Sequence, residues 1–212
     1  MNIYLFSISS HPDSISINSL DITFLKPDID FSNYDNLIIT SKQASKALLQ
    51  YKKSDYIDKP ALCVSKQSAI SYENIGARVL KVGGGYGDNL LSIIKEYPKE
   101  IRWLYLRAKI VASDFVVLAK RDGYNIDEAI VYESDCSKKI VQVSVDDRAI
   151  LIFTSPSSVK CYLKSHIFLK EQIIIVIGKT TAKAIPSGVD FILSTDTTIE
   201  SCMEIAKKQR GF

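Results

Sequence analysis

Four places in the chain combine small hydroxyl residues with the spacing of a strand turning into a helix: Thr40-Ser41, Ser65 to Ser68, Thr154-Ser155, and Gly178-Lys179-Thr180-Thr181. A hydroxyl there can cap the helix and, with the free backbone N–H groups of its first turn, hold a carboxylate or phosphate. Capping alone accounts for any one junction. Four of them in two matched pairs point instead to a shared cleft that takes an anionic ligand. Lys66 and Lys179 stand at equivalent places, where a cation suits an acidic ligand, although each also fits a solvated surface.

Other chemistries are poorly served. Cys63, Cys136, Cys161 and Cys202 are widely spaced within apolar stretches, which predicts buried reduced thiols rather than a zinc quartet or a disulfide framework. His11 and His166 have no partner at metal-ligand spacing, so a histidine triad or metal site is not expected. The run Gly83-Gly84-Gly85-Tyr86-Gly87 lacks the Gly-Lys-Ser/Thr ending of a phosphate loop and reads as a turn before a helix over 88–97. Asp127-Glu128 and Asp146-Asp147 fall in polar, turn-like stretches and read as surface acids.

The junctions need strands and helices to position them. Short apolar runs over 3–6, 37–39, 61–64, 79–82, 103–106, 150–153, 173–177 and 191–193 alternate with helix-spaced stretches such as 42–51 and 157–164, the pattern of a parallel α/β protein. An internal duplication organises them. Residues 36–45 align with 150–159 at an offset of 114, each strand ending in Thr-Ser, and 64–69 align with 177–182. A looser pair matches 79–97 with 191–208. Two similar α/β units follow. The first strand precedes the first copy, and the second copy has only 140–145 as an equivalent, so the residues alone leave its owner open. Runs 22–27 and 129–134 are extended and can pair as a double linker.

With 212 residues the chain suits one large or two small domains. Apolar residues at 46% and charged residues at 24% match a folded globular protein and exclude disorder. A net charge of +3 is too small to predict a nucleic-acid binder. No basic leader precedes an apolar run and no window spans a membrane, so a cytoplasmic chain without membrane association is expected. No heptad pattern is present, and monomer is the default reading.

The order Thr40-Ser41, the hydroxyl turn before Ala69, Leu104-Tyr105-Leu106-Arg107, Val131-Tyr132, Thr154-Ser155-Pro156, Gly178-Lys179-Thr180-Thr181-Ala182 and Asp196-Thr197-Thr198-Ile199 resembles uroporphyrinogen-III synthase over nearly the whole chain. The resemblance implies two flavodoxin-like parallel-sheet domains joined by a two-stranded β linker. Domain one would comprise 1–25 with 136–212 and domain two 30–131, with 26–29 and 132–135 as the linker region. The amino-terminal strand would then belong with the carboxy-terminal half.

The implied reaction cyclises hydroxymethylbilane to uroporphyrinogen III, with loss of water and inversion of the terminal pyrrole ring, and needs no cofactor. The electron-rich pyrrole expels its own hydroxyl once an acid assists, so the protein must chiefly fold the substrate. By the same resemblance Tyr132 is the proton donor, and Thr40, Ser41, Ser65, Ser68, Arg107, Thr154, Ser155, Gly178, Lys179, Thr180 and Thr181 bind substrate. Ser65 stands where the family usually has glycine, while Ser68 keeps the hydroxyl. Hydroxymethylbilane is the implied partner, which leaves room for a transient hand-off from hydroxymethylbilane synthase. A non-catalytic two-domain module closing on a small anionic ligand would explain the duplication equally well, but not the motifs near Arg107, Tyr132 and Asp196.

Overall fold

A computed structural model describes residues 1–85, 88–111 and 113–210. The chain opens with strands β1 (Asn2–Ser7), β2 (Ile15–Asn18) and β3 (Leu20–Phe24). It continues through β4 (Asn36–Ile39), helices α1 (Lys42–Leu48) and α2 (Lys53–Tyr56), β5 (Ala61–Cys63), α3 (Lys66–Glu73) and β6 (Val79–Val82). Then come α4 (Asp88–Ile94), β7 (Arg102–Ala108), α5 (Phe115–Arg121) and β8 (Asn125–Cys136). The remainder is α6 (Lys138–Gln142), β9 (Ala149–Phe153), α7 (Pro156–Tyr162), β10 (Ile173–Val176), α8 (Lys179–Ala182), β11 (Ile192–Leu193) and α9 (Ile199–Arg210).

Contacts divide the chain into two units, one formed by residues 1–21 with 135–212 and the other by residues 22–134. Within the first the strand order is β11-β10-β9-β1-β2, with parallel neighbours, and β1 lies beside β9 in the register Ile3↔Ile150. Counted in chain order this is the flavodoxin-like arrangement 2-1-3-4-5. In the second unit the order is β6-β5-β4-β7-β8, again parallel, with β3 added beyond β8. Since the duplication equates β4 with β9, β5 with β10 and β6 with β11, the two sheets share one spatial order. In the first unit β1 and β2 fill the places that β7 and β8 take in the second. The chain passes between the units within β3 and β8, which pair with each other, and the Leu25 N–H donates to the Val131 carbonyl at 2.9 Å.

Both faces of each sheet are covered, so the strands read as unbroken apolar runs. In β4, Leu37 and Ile39 pack with Ala44 and Leu48 of α1 and Tyr72 of α3, while Ile38 faces Trp103, Phe115 and Ala119 on the other side. In the first unit Phe6, Phe153 and Tyr162 form an aromatic cluster, with the two phenylalanine rings stacked at 4.9 Å. The opposite face packs Ile3, Leu5, Ile150 and Ile152 against Cys202, Met203 and Ala206 of α9.

Four expectations change. Asp127 and Glu128 lie within β8, as exposed residues of a strand paired to β7, rather than in a turn. The stretch 140–145 is not a strand: Ser137 accepts the Ile140 N–H as an N-cap and α6 starts there. A strand at 15–18 goes unread because it is a partly exposed sheet edge rather than a buried run. The cysteines are also not all free: Cys136 and Cys161 form a disulfide, whereas Cys63 and Cys202 are buried free thiols. Packing of α7 near the end of β8 brings the bonded pair's Cα atoms to 5.3 Å, inside the bridging range, and a separation of 25 residues conceals this proximity in the sequence.

Closing a loop of that size restricts the unfolded chain by about 3 kcal/mol. Adding a thiol reductant to oxidised protein is therefore expected to lower its urea midpoint by about that much stability, and Cys161→Ser should match it. An identical midpoint with and without reductant would show that the pair is not bonded in solution.

Candidate active site

In open parallel sheets, ligands bind beyond the carboxyl ends of the strands. The hydroxyl junctions all lie there. Ser41 caps α1 by accepting the Gln43 N–H at 3.2 Å. Ser65 and Ser68 close on each other: Ser68 Oγ accepts the Ser65 N–H at 3.0 Å and donates to the Ser65 carbonyl at 2.8 Å. Ser155 and Ser158 repeat the motif after β9, with the corresponding donation to the Ser155 carbonyl at 2.7 Å. The buried Ser68 hydroxyl is spent in that cap.

At the end of the second unit's sheet, Thr40, Ser41, Tyr105, Tyr132 and Phe115 line a cavity of about 240 Å³, with Val64, Gly85, Ala108, Ile110, Val111 and Ser113 completing it. None of these residues is charged. Thr40 Oγ1 and Tyr105 Oη are 3.0 Å apart, and Ser41 hydrogen-bonds the Tyr132 phenol. Burial pushes the Tyr132 phenol above its ordinary value, against the hydrogen bond with Ser41. Tyr105 is raised for the same first reason, with Thr40 opposing and the nearby Tyr132 and Glu128 adding to the rise. Both phenols therefore keep their protons across the physiological range.

Arg107 does not line this cavity. Its Nε lies 2.9 Å from Glu128 Oε1, and Nη1 donates to the carbonyls of Ala108 and Lys109 at 3.1 and 3.3 Å. Such a committed guanidinium secures the ends of β7 and β8.

In the first unit, Thr154 Oγ1 donates to the Phe6 carbonyl at 3.3 Å, tying β9 to β1. Gly178 is the N-cap residue of α8, and a Cβ there would sit 3.3 Å from Thr197 Cγ2. Lys179 and Thr180 are exposed, whereas Thr181 is buried. A hydroxyl cluster missed in the sequence lies close by in the chain: Ser194 donates to Ser201 at 2.8 Å, Thr195 lies 3.0 Å from Ser201, and Thr198 accepts the Ser201 N–H. The run from Ser194 to Thr198 was the available signal. Tyr105 was missed too, since a tyrosine in an apolar strand reads as core.

The remaining candidates have structural duties. His166 stacks on Tyr162 at 4.6 Å, with Nε2 2.7 Å from the Val143 carbonyl, and His11 Nδ1 accepts the Asp13 N–H. Asp127 accepts from Tyr34, and Asp146 from Asn2. No metal-binding cluster occurs among the described residues. Lys66 is exposed. Of the glycine run, Gly83 N–H donates to the Cys63 carbonyl and Gly85 N–H to the Val64 carbonyl, while Tyr86 and Gly87 lie outside the described residues.

Paired, doubly wound parallel sheets with uncharged hydroxyl and phenol groups at their carboxyl ends define a class of α/β proteins that recognise polar ligands there. Within that class, the model of the uroporphyrinogen-III synthase HemD family matches residues 13–204, and the chain belongs to that family. The fold is similar to that of uroporphyrinogen-III synthetase from Helicobacter pylori, at 23% identity and a TM-score of 0.83, covering 99% of this chain and 100% of that one. It is also similar to a mutant uroporphyrinogen III synthase from Thermus thermophilus, at 13% identity and a TM-score of 0.61 over 93% of this chain and 88% of that one. No curated protein sequence matches.

Burial also raises the Tyr72 phenol and pushes the Cys63 thiol up to about 12, so four groups in the second unit resist losing protons that the unfolded chain gives up near pH 9 to 10. The unfolded state then binds fewer protons than the folded one, and stability falls with rising pH. The stabilisation is complete below about pH 9 and is lost as pH climbs toward the folded values. Urea midpoints should hold steady from neutrality to that point and drop beyond it, with phenolate absorbance appearing together with unfolding. Phenolate signal from the whole tyrosine set in a still-folded protein would contradict the burial argument.

Proposed function

We propose that this chain cyclises hydroxymethylbilane to uroporphyrinogen III, expelling water and inverting the terminal pyrrole ring without a cofactor. The observation that carries this reading is the family match across 13–204. The chemistry suits the cavity. The substrate carries several carboxylates, and its pyrrole nitrogen supplies the electrons that eject the hydroxyl, so the protein needs a proton donor and a mould rather than a strong nucleophile.

Tyr132 donates the proton to the departing hydroxyl. Its phenol stays protonated, and Ser41 supports the phenolate oxygen as charge develops. The hydroxyl leaves as water and gives an azafulvene, whose exocyclic carbon is attacked by a carbon of the terminal pyrrole at the other end to form a spiro intermediate; reopening and reclosure invert that terminal ring, and the proton it sheds on regaining aromaticity returns to Tyr132. In the second unit Thr40, Ser41 and Ser65 offer hydroxyls and backbone N–H groups suited to substrate carboxylates, and in the first unit Ser155 does the same and Gly178 offers its N–H. The exposed Lys179 and Thr180 meet a side-chain carboxylate.

The enzyme acts as a cytoplasmic monomer and receives substrate from hydroxymethylbilane synthase. No helix among the described residues is long and apolar enough to cross a membrane. Cytoplasmic thiol buffering opens disulfides, so the Cys136–Cys161 bond would serve there only while oxidised.

Coupled to hydroxymethylbilane synthase, the protein should yield the type III isomer on chromatography; type I alone would reject the assignment. Tyr132→Phe should lower kcat by roughly a hundredfold or more, the usual contribution of a positioned general acid. Its urea midpoint should shift by no more than about 1 kcal/mol of stability. An unchanged kcat would remove Tyr132 from the chemistry.

A further inference from the structure

A doubly wound sheet takes its ligand where the strand order reverses, in the crevice between the two strands from which the chain winds outward. In the second unit that point falls between β4 and β7. The cavity of about 240 Å³ lies there, lined by Thr40 and Ser41 after β4 and by Ala108, Ile110 and Ser113 after β7. In the first unit the order reverses between β1 and β9. Thr154 closes the β9 side, its N–H and Oγ1 both donating to the Phe6 carbonyl, so the other wall of that crevice comes from the loop that leaves β1, residues 8–14.

The loop is built to hold one side chain. Pro12 restricts the backbone of the residue before it, His11. The His11 N–H donates to Ser16 Oγ at 3.0 Å, and the His11 carbonyl accepts from the Ser14 N–H at 3.2 Å and from the Ser14 hydroxyl at 3.1 Å. The ring is fixed as well. Nδ1 accepts the Asp13 N–H at 3.2 Å, which leaves the proton of the neutral imidazole on Nε2. The side chain is only half-buried, and among the described residues Nε2 has no hydrogen-bond partner. Asp13, which would repel an anion, is paired with Lys207 of α9 at 2.5 Å. A turn of this kind needs only Nδ1, and asparagine supplies the same acceptor to the N–H two residues on. The second nitrogen is surplus to the turn, and it is a donor whether the ring is neutral or charged.

We propose that His11 binds a carboxylate of the substrate through Nε2, as the first unit's counterpart to the cavity in the second. This rests on the function proposed above and deepens it: His11 holds the substrate and takes no part in the chemistry at Tyr132.

The chain has 2 histidines, so each imidazole can be followed separately by NMR of the ring nitrogens. Titration of wild-type protein with uroporphyrin III, a stable tetrapyrrole carrying the same class of carboxylates, should move the His11 Nε2 resonance saturably. His166, whose Nε2 already meets the Val143 carbonyl at 2.7 Å, should stay in place. Steady-state cyclisation of enzymatically generated hydroxymethylbilane is then compared in wild type and His11→Asn. The asparagine keeps the turn, so the urea midpoint should not move. KM should rise about tenfold, the effect of one lost hydrogen bond to a charged group, with kcat within about threefold. An unmoved His11 resonance, an unchanged KM, or a KM shift that comes only with a lowered midpoint would overturn the assignment, the last because it would make His11 a turn residue alone. Wild-type protein giving only type I would reject the function instead, and the uroporphyrin titration would then decide by itself whether His11 takes carboxylates.

Discussion

A parallel strand covered on both faces has nowhere to place a polar side chain except at its ends. Every residue of β4 and β9 is buried, and the first half-buried positions after them are Thr40-Ser41 and Thr154-Ser155. Those are also the positions where the following helix leaves N–H groups unpaired. The hydroxyls must therefore satisfy the backbone before they can serve a ligand. Ser65 with Ser68 and Ser155 with Ser158 spend most of their capacity doing so, whereas Thr40 and Ser41 retain enough to hold two tyrosines that approach from opposite faces of the same sheet.

Among the described residues, the cavity this creates carries hydrogen-bond donors without charge. Neutral donors orient an anionic group without the attraction of a fixed charge, and burial makes the phenol hold its proton more firmly. Arg107 pairs with Glu128 and with backbone carbonyls, which ties β7 to β8 at the point where their register shifts. The exposed Lys179 stands in the first unit, at the start of α8.

Much of this is legible in the amino-acid sequence. The apolar runs named the buried strands because two-sided burial erases alternation, and the Thr-Ser endings exposed the duplication and the junctions. What failed has physical causes. The edge strand β2 is half exposed, so Ile15-Ser16-Ile17-Asn18 shows no continuous apolar run. The 140–145 stretch contains β-branched residues, yet the Ser137 cap decides for helix. Cys136 and Cys161 meet only through tertiary packing. Within the site, hydroxyl type and position told which residues sit at strand ends, but not that Thr181 turns inward, that Arg107 is committed elsewhere, or that Tyr105 brings its polar end to the cavity.

The shared spatial order of the two sheets, reached by different routes along the chain, has a consequence for biogenesis. The sheet of residues 22–134 is contiguous and can close as soon as its last strand leaves the ribosome, with only local loops to order. Its counterpart cannot. β1 is made first and can meet β2 at once, yet its other neighbour β9 emerges well over a hundred residues later, so one edge of the opening strand waits uncovered while the inserted segment is made. An apolar ribbon held in suspense this long is a natural client for chaperones, and the slow step of folding should be its capture rather than the formation of either helix layer.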